Sequence, residues 1–184
     1  LVAPLPGFYN TTLLNVSWVV TEANFSHTAL YVDGRLYAWL INSSILLRLS
    51  EGNHTLGIIV YDRAGNSASV GTWLVIDTTP PSIKVLEPAN NTMISENSSR
   101  VRWIVEDVLS GVARVRLRLD TGPWIDISNV TEYLLTNLEE GKHVIELRVE
   151  DRAGNIASAY IYITVVLPVV TPPPSHFPYT YVAV

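Results

Sequence analysis

One nine-residue stretch occurs twice, as Tyr61-Asp62-Arg63-Ala64-Gly65-Asn66-Ser67-Ala68-Ser69 and as Glu150-Asp151-Arg152-Ala153-Gly154-Asn155-Ile156-Ala157-Ser158, 89 residues apart. The shared pattern reaches upstream: Glu51-Gly52-Asn53-His54 stands at the same offset from Glu140-Gly141-Lys142-His143, and an apolar run follows each. A period this long is not that of a short solenoid repeat; it is the size of a small domain with its own core. The chain is therefore two copies of one module, which points to architecture before chemistry.

The 184 residues divide into a first copy at 1–78, a second at 79–166 and a tail at 167–184. Asp77-Thr78-Thr79-Pro80-Pro81-Ser82 separates the copies, and paired prolines make a short, stiff joint that cannot continue a strand ladder. Runs rich in Val, Ile, Tyr, Trp and Thr alternate with Gly, Asn, Asp and Ser clusters, and no segment has helical periodicity. Expected strands lie at 14–21, 28–32, 36–41, 45–49, 55–61 and 68–76 in the first copy. In the second they lie at 82–86, 100–106, 113–119, 124–127, 132–135, 143–150 and 157–165. Alternation puts Leu56, Ile58 and Val60 inward, with Ile145, Leu147 and Val149 as their equivalents, and points Glu146, Arg148 and Glu150 outward. The Asp-Arg-Ala-Gly-Asn stretch falls between the last two strands of each copy, where Gly accepts positive φ and Asp and Asn bond the turn backbone. Trp18 and Trp103 take equivalent places on an early strand and read as core.

The second copy strings together a recognisable set: Thr79-Pro80-Pro81-Ser82-Ile83, Trp103 followed by Asp107, Ser110 and Gly111, an acidic turn and Trp at Asp120 and Trp124, Gly141 and His143, and Asp151-Arg152-Ala153-Gly154-Asn155. This resembles the tandem immunoglobulin-like, fibronectin-like domains of bacterial and archaeal surface proteins. The first copy departs from the pattern in carrying Glu22 and no Ser-Gly after Trp18. The resemblance spans roughly residues 1–166 and implies two all-β sandwiches of about seven strands each, outside the cell and at its surface, with an archaeal source expected. Such modules serve as spacers, stalks, layer subunits and adhesins, so the resemblance does not fix function.

Cysteine is absent, which excludes disulfides, thiolate metal sites and cysteine nucleophiles. No run reaches the 18 or more apolar residues of a membrane helix, and opening at Leu1 reads as a processed or excised chain. Asn-x-Ser/Thr occurs at Asn10, Asn15, Asn24, Asn42, Asn53, Asn90, Asn97 and Asn129, eight of the twelve asparagines. Chance at this Ser and Thr content gives roughly two, so N-linked glycans and an extracellular location are expected.

Charge is unevenly spread. Residues 1–77 carry eight charged side chains, 82–166 carry twenty-one, and 167–184 carry none. Arg114, Arg116 and Arg118 alternate along one strand beside the strand of Glu146, Arg148 and Glu150, which reads as a solvated, salt-bridged face. Interleaved acids and a net charge of −5 argue against nucleic acid. In the first copy the positions of Arg148 and Glu150 are taken by Ile59 and Tyr61, and a strand apolar on both faces calls for a cover. The tail, through Phe177, Tyr179, Tyr181, Val182 and Val184, is uncharged and strand-prone behind Pro172-Pro173-Pro174. These residues are the expected subunit interface: the tail adds as a strand to the first copy of a neighbouring subunit, giving a homopolymer.

Catalysis is not expected. His54 and His143 are repeat-equivalent and read as scaffold, His27 and His176 are isolated, and no nucleophile with its base stands out. Calcium is the one cofactor worth weighing, with oxygen ligands from Asp107, Asp151 and Asn155, or from Glu22, Asp62 and Asn66, although turn capping explains the same residues. The expected function is a structural subunit of a filament or surface layer. The competing reading is a non-catalytic binding or spacer module of a secreted hydrolase or adhesin, touching polysaccharide through Tyr37, Trp39 and Trp73, residues more often found in a sandwich core.

Overall fold

A computed structural model describes residues 2–169. The first copy contains β1 (Gly7–Tyr9), β2 (Leu13–Ser17), β3 (Phe25–Val32), β4 (Arg35–Leu40), β5 (Ser44–Arg48), β6 (Gly52–Asp62) and β7 (Ser67–Ile76). Five of these form one sheet in the order β1-β7-β6-β3-β4, and β2 pairs with β5 in the other. The second copy contains β8 (Ser82–Glu87), β9 (Thr92–Ile94), β10 (Ser98–Glu106), β11 (Val112–Leu119), β12 (Ile125–Asp126), β13 (Glu132–Thr136), β14 (Gly141–Asp151) and β15 (Ile156–Val165). Its sheets run β9-β15-β14-β11-β12 and β8-β10-β13. Each copy is an immunoglobulin-like two-sheet sandwich, and no helix occurs among the described residues.

Each sandwich closes on its own core. Leu56 and Ile58 in β6, and Ile145, Leu147 and Val149 in β14, are buried as their period-two alternation requires. Trp18 and Trp103 are 3% and 2% exposed and anchor the two cores, each a side chain whose truncation costs ~3–5 kcal/mol. The short strands β1 and β9 were not expected from the sequence. Each pairs in parallel with the last strand of its copy, Phe8 with Val75 and Met93 with Thr164, and three residues are too few to show a period.

At one edge more of the second copy than of the first lies among the described residues. In the second, β8 runs antiparallel along β10, with Ile83 opposite Val105 and Lys84 opposite Ile104. In the first, a single bridge from Ala3 to Ser17 stands at the corresponding place. The expected strand at 14–21 accordingly stops at Ser17: Trp18 still donates its N–H to the Ser43 carbonyl, but Val19–Thr21 have no ladder partner among the described residues. Val19 is 71% exposed.

Candidate functional site

The repeated Asp-Arg-Ala-Gly-Asn segment is a closed turn in both copies. Asp62 Oδ1 accepts the N–H groups of Ala64 and Asn66, each at 2.8 Å, and Asn66 Nδ2 donates to Asp62 Oδ2 at 2.7 Å. Asp151 and Asn155 repeat this at 2.8 and 2.7 Å, and Gly65 and Gly154 supply the positive φ, 90° and 93°. The Asn66 amide, followed by the turn N–H groups of Asn66, Ala64 and Gly65, holds the Asp62 carboxyl below the usual carboxylate value.

In the second copy the turn also grips the joint. Asn155 Nδ2 donates to the Asp77 carbonyl at 2.8 Å, and the buried Asp77 carboxylate accepts N–H bonds from Ser110 at 3.0 Å and Thr79 at 3.1 Å. From the first copy, Glu51 accepts the Thr78 N–H at 3.1 Å together with the Thr78 and Thr79 hydroxyls. The linker is thus bonded from both sides, and the Arg152 guanidinium lies over the Phe8 ring at 5.9 Å.

Asp107 and Asp151, proposed from sequence as oxygen ligands, do meet. They are joined by Asp77, with one oxygen of each within 4.8 Å of the others. Three carboxylates form a donor set of the kind hard cations use, but Asp77 and Asp151 already accept N–H bonds on both oxygens, and Asp107 accepts from Gly111 and Ser110. Asn155 is placed by its bonds to Asp151 and the linker. Sequence reasoning missed Asp77 because it reads as spacer; its position immediately before Thr-Thr-Pro-Pro was the available signal. In the first copy Asp62 and Asn66 come together, whereas Glu22 caps its own turn by accepting the Asn24 N–H at 2.9 Å.

His54 and His143 are clasps. His54 Nδ1 lies 2.8 Å from Asp33 Oδ2 and Nε2 lies 3.0 Å from the Ser50 carbonyl, and His143 repeats this with Asp120 at 2.8 Å and the Glu139 carbonyl at 2.9 Å. At His143 the Asp120 carboxylate, then the Glu139 carbonyl, hold the pKa above its ordinary value.

The outer faces of the two large sheets share a frame and differ in every row. In the second copy one row runs Arg118, Glu146, Tyr160 across β11, β14 and β15. Arg118 Nη2 lies 2.6 Å from Glu146, the Tyr160 hydroxyl donates to Glu146 at 3.1 Å, and Arg118 stacks over Trp124 at 4.6 Å. Glu146 points outward as expected, yet it is only 6% exposed beneath these neighbours. The equivalent row of the first copy is Tyr31, Gly57, Gly71 across β3, β6 and β7. The two glycines floor a shallow groove of about 370 Å³, walled by Tyr31, Ile59 and Ser69.

Exposed aromatic side chains stand in the rows on either side of the glycines. Trp39, Trp73 and Tyr37 are 57%, 50% and 53% exposed, so they stand outside the core where such residues are more often found. Trp39 follows Ala29 and Ile59 in the row on one side of the glycines, and Trp73 stands on the other side, edge-on to Phe8 at 5.9 Å. His27 lies flat on Tyr61 at 4.9 Å and edge-on to Trp39 at 4.9 Å. Ile59 and Tyr61, the described part of the expected interface, are half-buried on this face; Phe177, Tyr179, Tyr181, Val182 and Val184 lie outside the described residues. All eight sequon asparagines are exposed.

The sequence matches no protein-family model and no curated protein. In structure, the chain is similar to fibronectin(III)-like modules of CbhA from Clostridium thermocellum, at 17% identity over 95% of this chain and 97% of that one, with a TM-score of 0.54. It is also similar to murine CEACAM1b, at 12% identity over 89% of this chain and 96% of that one, with a TM-score of 0.50. At such identities the likeness is one of fold: tandem sandwiches of the immunoglobulin and fibronectin type.

Proposed function

We propose that this chain is a non-catalytic structural module of an extracellular surface assembly, joined end to end to copies of itself by strand addition. One observation carries the reading. In the tail a proline-rich spacer leads into a strand-prone segment, as the linker leads into β8.

In the second copy β8 follows directly on Thr78-Thr79-Pro80-Pro81. The tail carries Thr171-Pro172-Pro173-Pro174-Ser175 ahead of an uncharged, β-prone segment ending in Tyr179-Thr180-Tyr181-Val182-Ala183-Val184. The tail of one copy would then add as a strand to the first copy of the next, at an edge where Val19–Thr21 have no ladder partner among the described residues. The Asp62–Asn66 turn at that end of the first copy matches the Asp151–Asn155 turn that holds the linker.

Exposure of all eight sequons supports N-glycosylation and placement outside the cell. The test compares the full chain with a chain lacking residues 175–184 by light scattering across rising concentration. The full chain should assemble and the truncated one should remain a folded monomer; equal masses would contradict strand addition.

A further inference from the structure

The groove over Gly57 and Gly71 has a chemistry of its own. These glycines sit directly opposite each other within the longest ladder of the first copy, between an eleven-residue and a ten-residue strand. A glycine inside a strand weakens it, and it recurs where a ligand or another backbone must come close. The second copy keeps the same frame and fills the row with the Arg118–Glu146–Tyr160 network, so the fold does not require a bare row here.

Crowding explains only one of the two glycines. A Cβ on Gly71 would stand 3.1 Å from the Leu56 carbonyl oxygen, whereas a Cβ on Gly57 would meet Tyr31 Cβ at 3.6 Å, an ordinary contact. Gly57 therefore leaves space that a side chain would otherwise occupy.

We propose that this groove binds a neutral polysaccharide. Sugar rings carry apolar C–H faces and a rim of hydroxyls, and the face offers a match for both: flat exposed rings at Trp39 and Trp73, with the hydroxyls of Ser69 and Thr55 in the rows beside the glycines. The rows bearing Tyr31, Gly57 and Gly71 and Trp39, Ala29, Ile59 and Ser69 carry no charged side chain, whereas their equivalents in the second copy include Arg116, Arg118, Glu146 and Arg148. Two uncharged rows suit an uncharged ligand, and Asp33, at the end of the row of Thr55 and Trp73, is engaged by His54 and the Thr55 N–H. Strands β3, β6 and β7 each have a neighbour on both sides, so an extended peptide cannot add here through backbone bonds. Crossing these three strands, the glycine row spans about 10 Å, open at the surface, as a chain ligand needs.

The test uses the full chain, made without glycans, in affinity electrophoresis through gels containing mannan, xylan or barley β-glucan, with alginate as the anionic control. Binding to at least one neutral polymer is expected. The dissociation constant should rise at least about tenfold in Trp73→Ala and in Gly57→Leu, a loss of ~1.4 kcal/mol, with unchanged melting temperatures for variants that fold. Should Gly57→Leu not fold, Trp39→Ala with Trp73→Ala supplies the same readout. No retardation by any neutral polymer, retardation untouched by these substitutions, or stronger binding to alginate would overturn the proposal. So would a concentration-dependent dimer abolished by Trp73→Ala, which would assign the face to a second copy.

Discussion

Asn155 donates its side-chain N–H to the Asp77 carbonyl at 2.8 Å while also bonding Asp151 at 2.7 Å, so the turn that marks the second copy also closes the joint between copies. Asn66, its equivalent, bonds Asp62 at 2.7 Å within its own turn.

This asymmetry separates two variants. Asn66→Ala should cost ~1 kcal/mol in urea unfolding and leave the relative placement of the copies unchanged. Asn155→Ala should cost ~1–2 kcal/mol and widen the distance distribution between the copies in small-angle scattering, because it also frees the linker carbonyls. Equal scattering from both variants would show that the joint is held without Asn155.

Gly65 and Gly154 hold φ of 90° and 93°, where a Cβ is strained whatever the space around it. Gly65→Ala and Gly154→Ala should each destabilise their own copy by ~1–2 kcal/mol, read as a shifted denaturation midpoint.

Glu146 is nearly buried between Arg118 and Tyr160, whereas Arg100 and Glu132 pair at 3.2 Å with both side chains more than half exposed. A double-mutant cycle on Arg118 and Glu146 should return a coupling of ~1–2 kcal/mol, and the same cycle on Arg100 and Glu132 at most ~0.5 kcal/mol. Similar couplings would mean that burial adds nothing to the Arg118 contact.

The His143 pKa is raised, so its contribution is fully present below the ordinary value of 6.5 and is lost as pH rises through the folded value. The Asp62 pKa is lowered, so its contribution is present above 3.8 and is lost as pH falls through the folded value. Urea stability should therefore decline on both sides of a plateau. His143→Gln should remove the decline beginning above pH 6.5 and leave the acid limb in place.

Much of this molecule is legible in its residues because the frame is written twice. The Asp-x-x-Gly-Asn spacing, the paired tryptophans and the alternation along β6 and β14 each depend on neighbours within a few positions, and all were readable. What escaped depends on register across long separations. Asp77 gains its role only by meeting Ser110, 33 positions away. Gly57 and Gly71 look like ordinary strand glycines until the ladder sets them opposite each other. Period-two alternation is equally consistent with Trp39 and Trp73 facing in or out, and pairing with β3 and β6 decides for the surface.

Strand addition can be read directly, because the chain has no cysteine to interfere. Val19→Cys on one preparation is mixed under oxidising conditions with a second preparation carrying a single cysteine at each of positions 179–184 in turn. Disulfide-linked heterodimers should appear at alternate tail positions, since successive side chains of a strand face opposite ways. A yield no higher than that of Val108→Cys, at a site 99% exposed and away from the edge, would contradict the account.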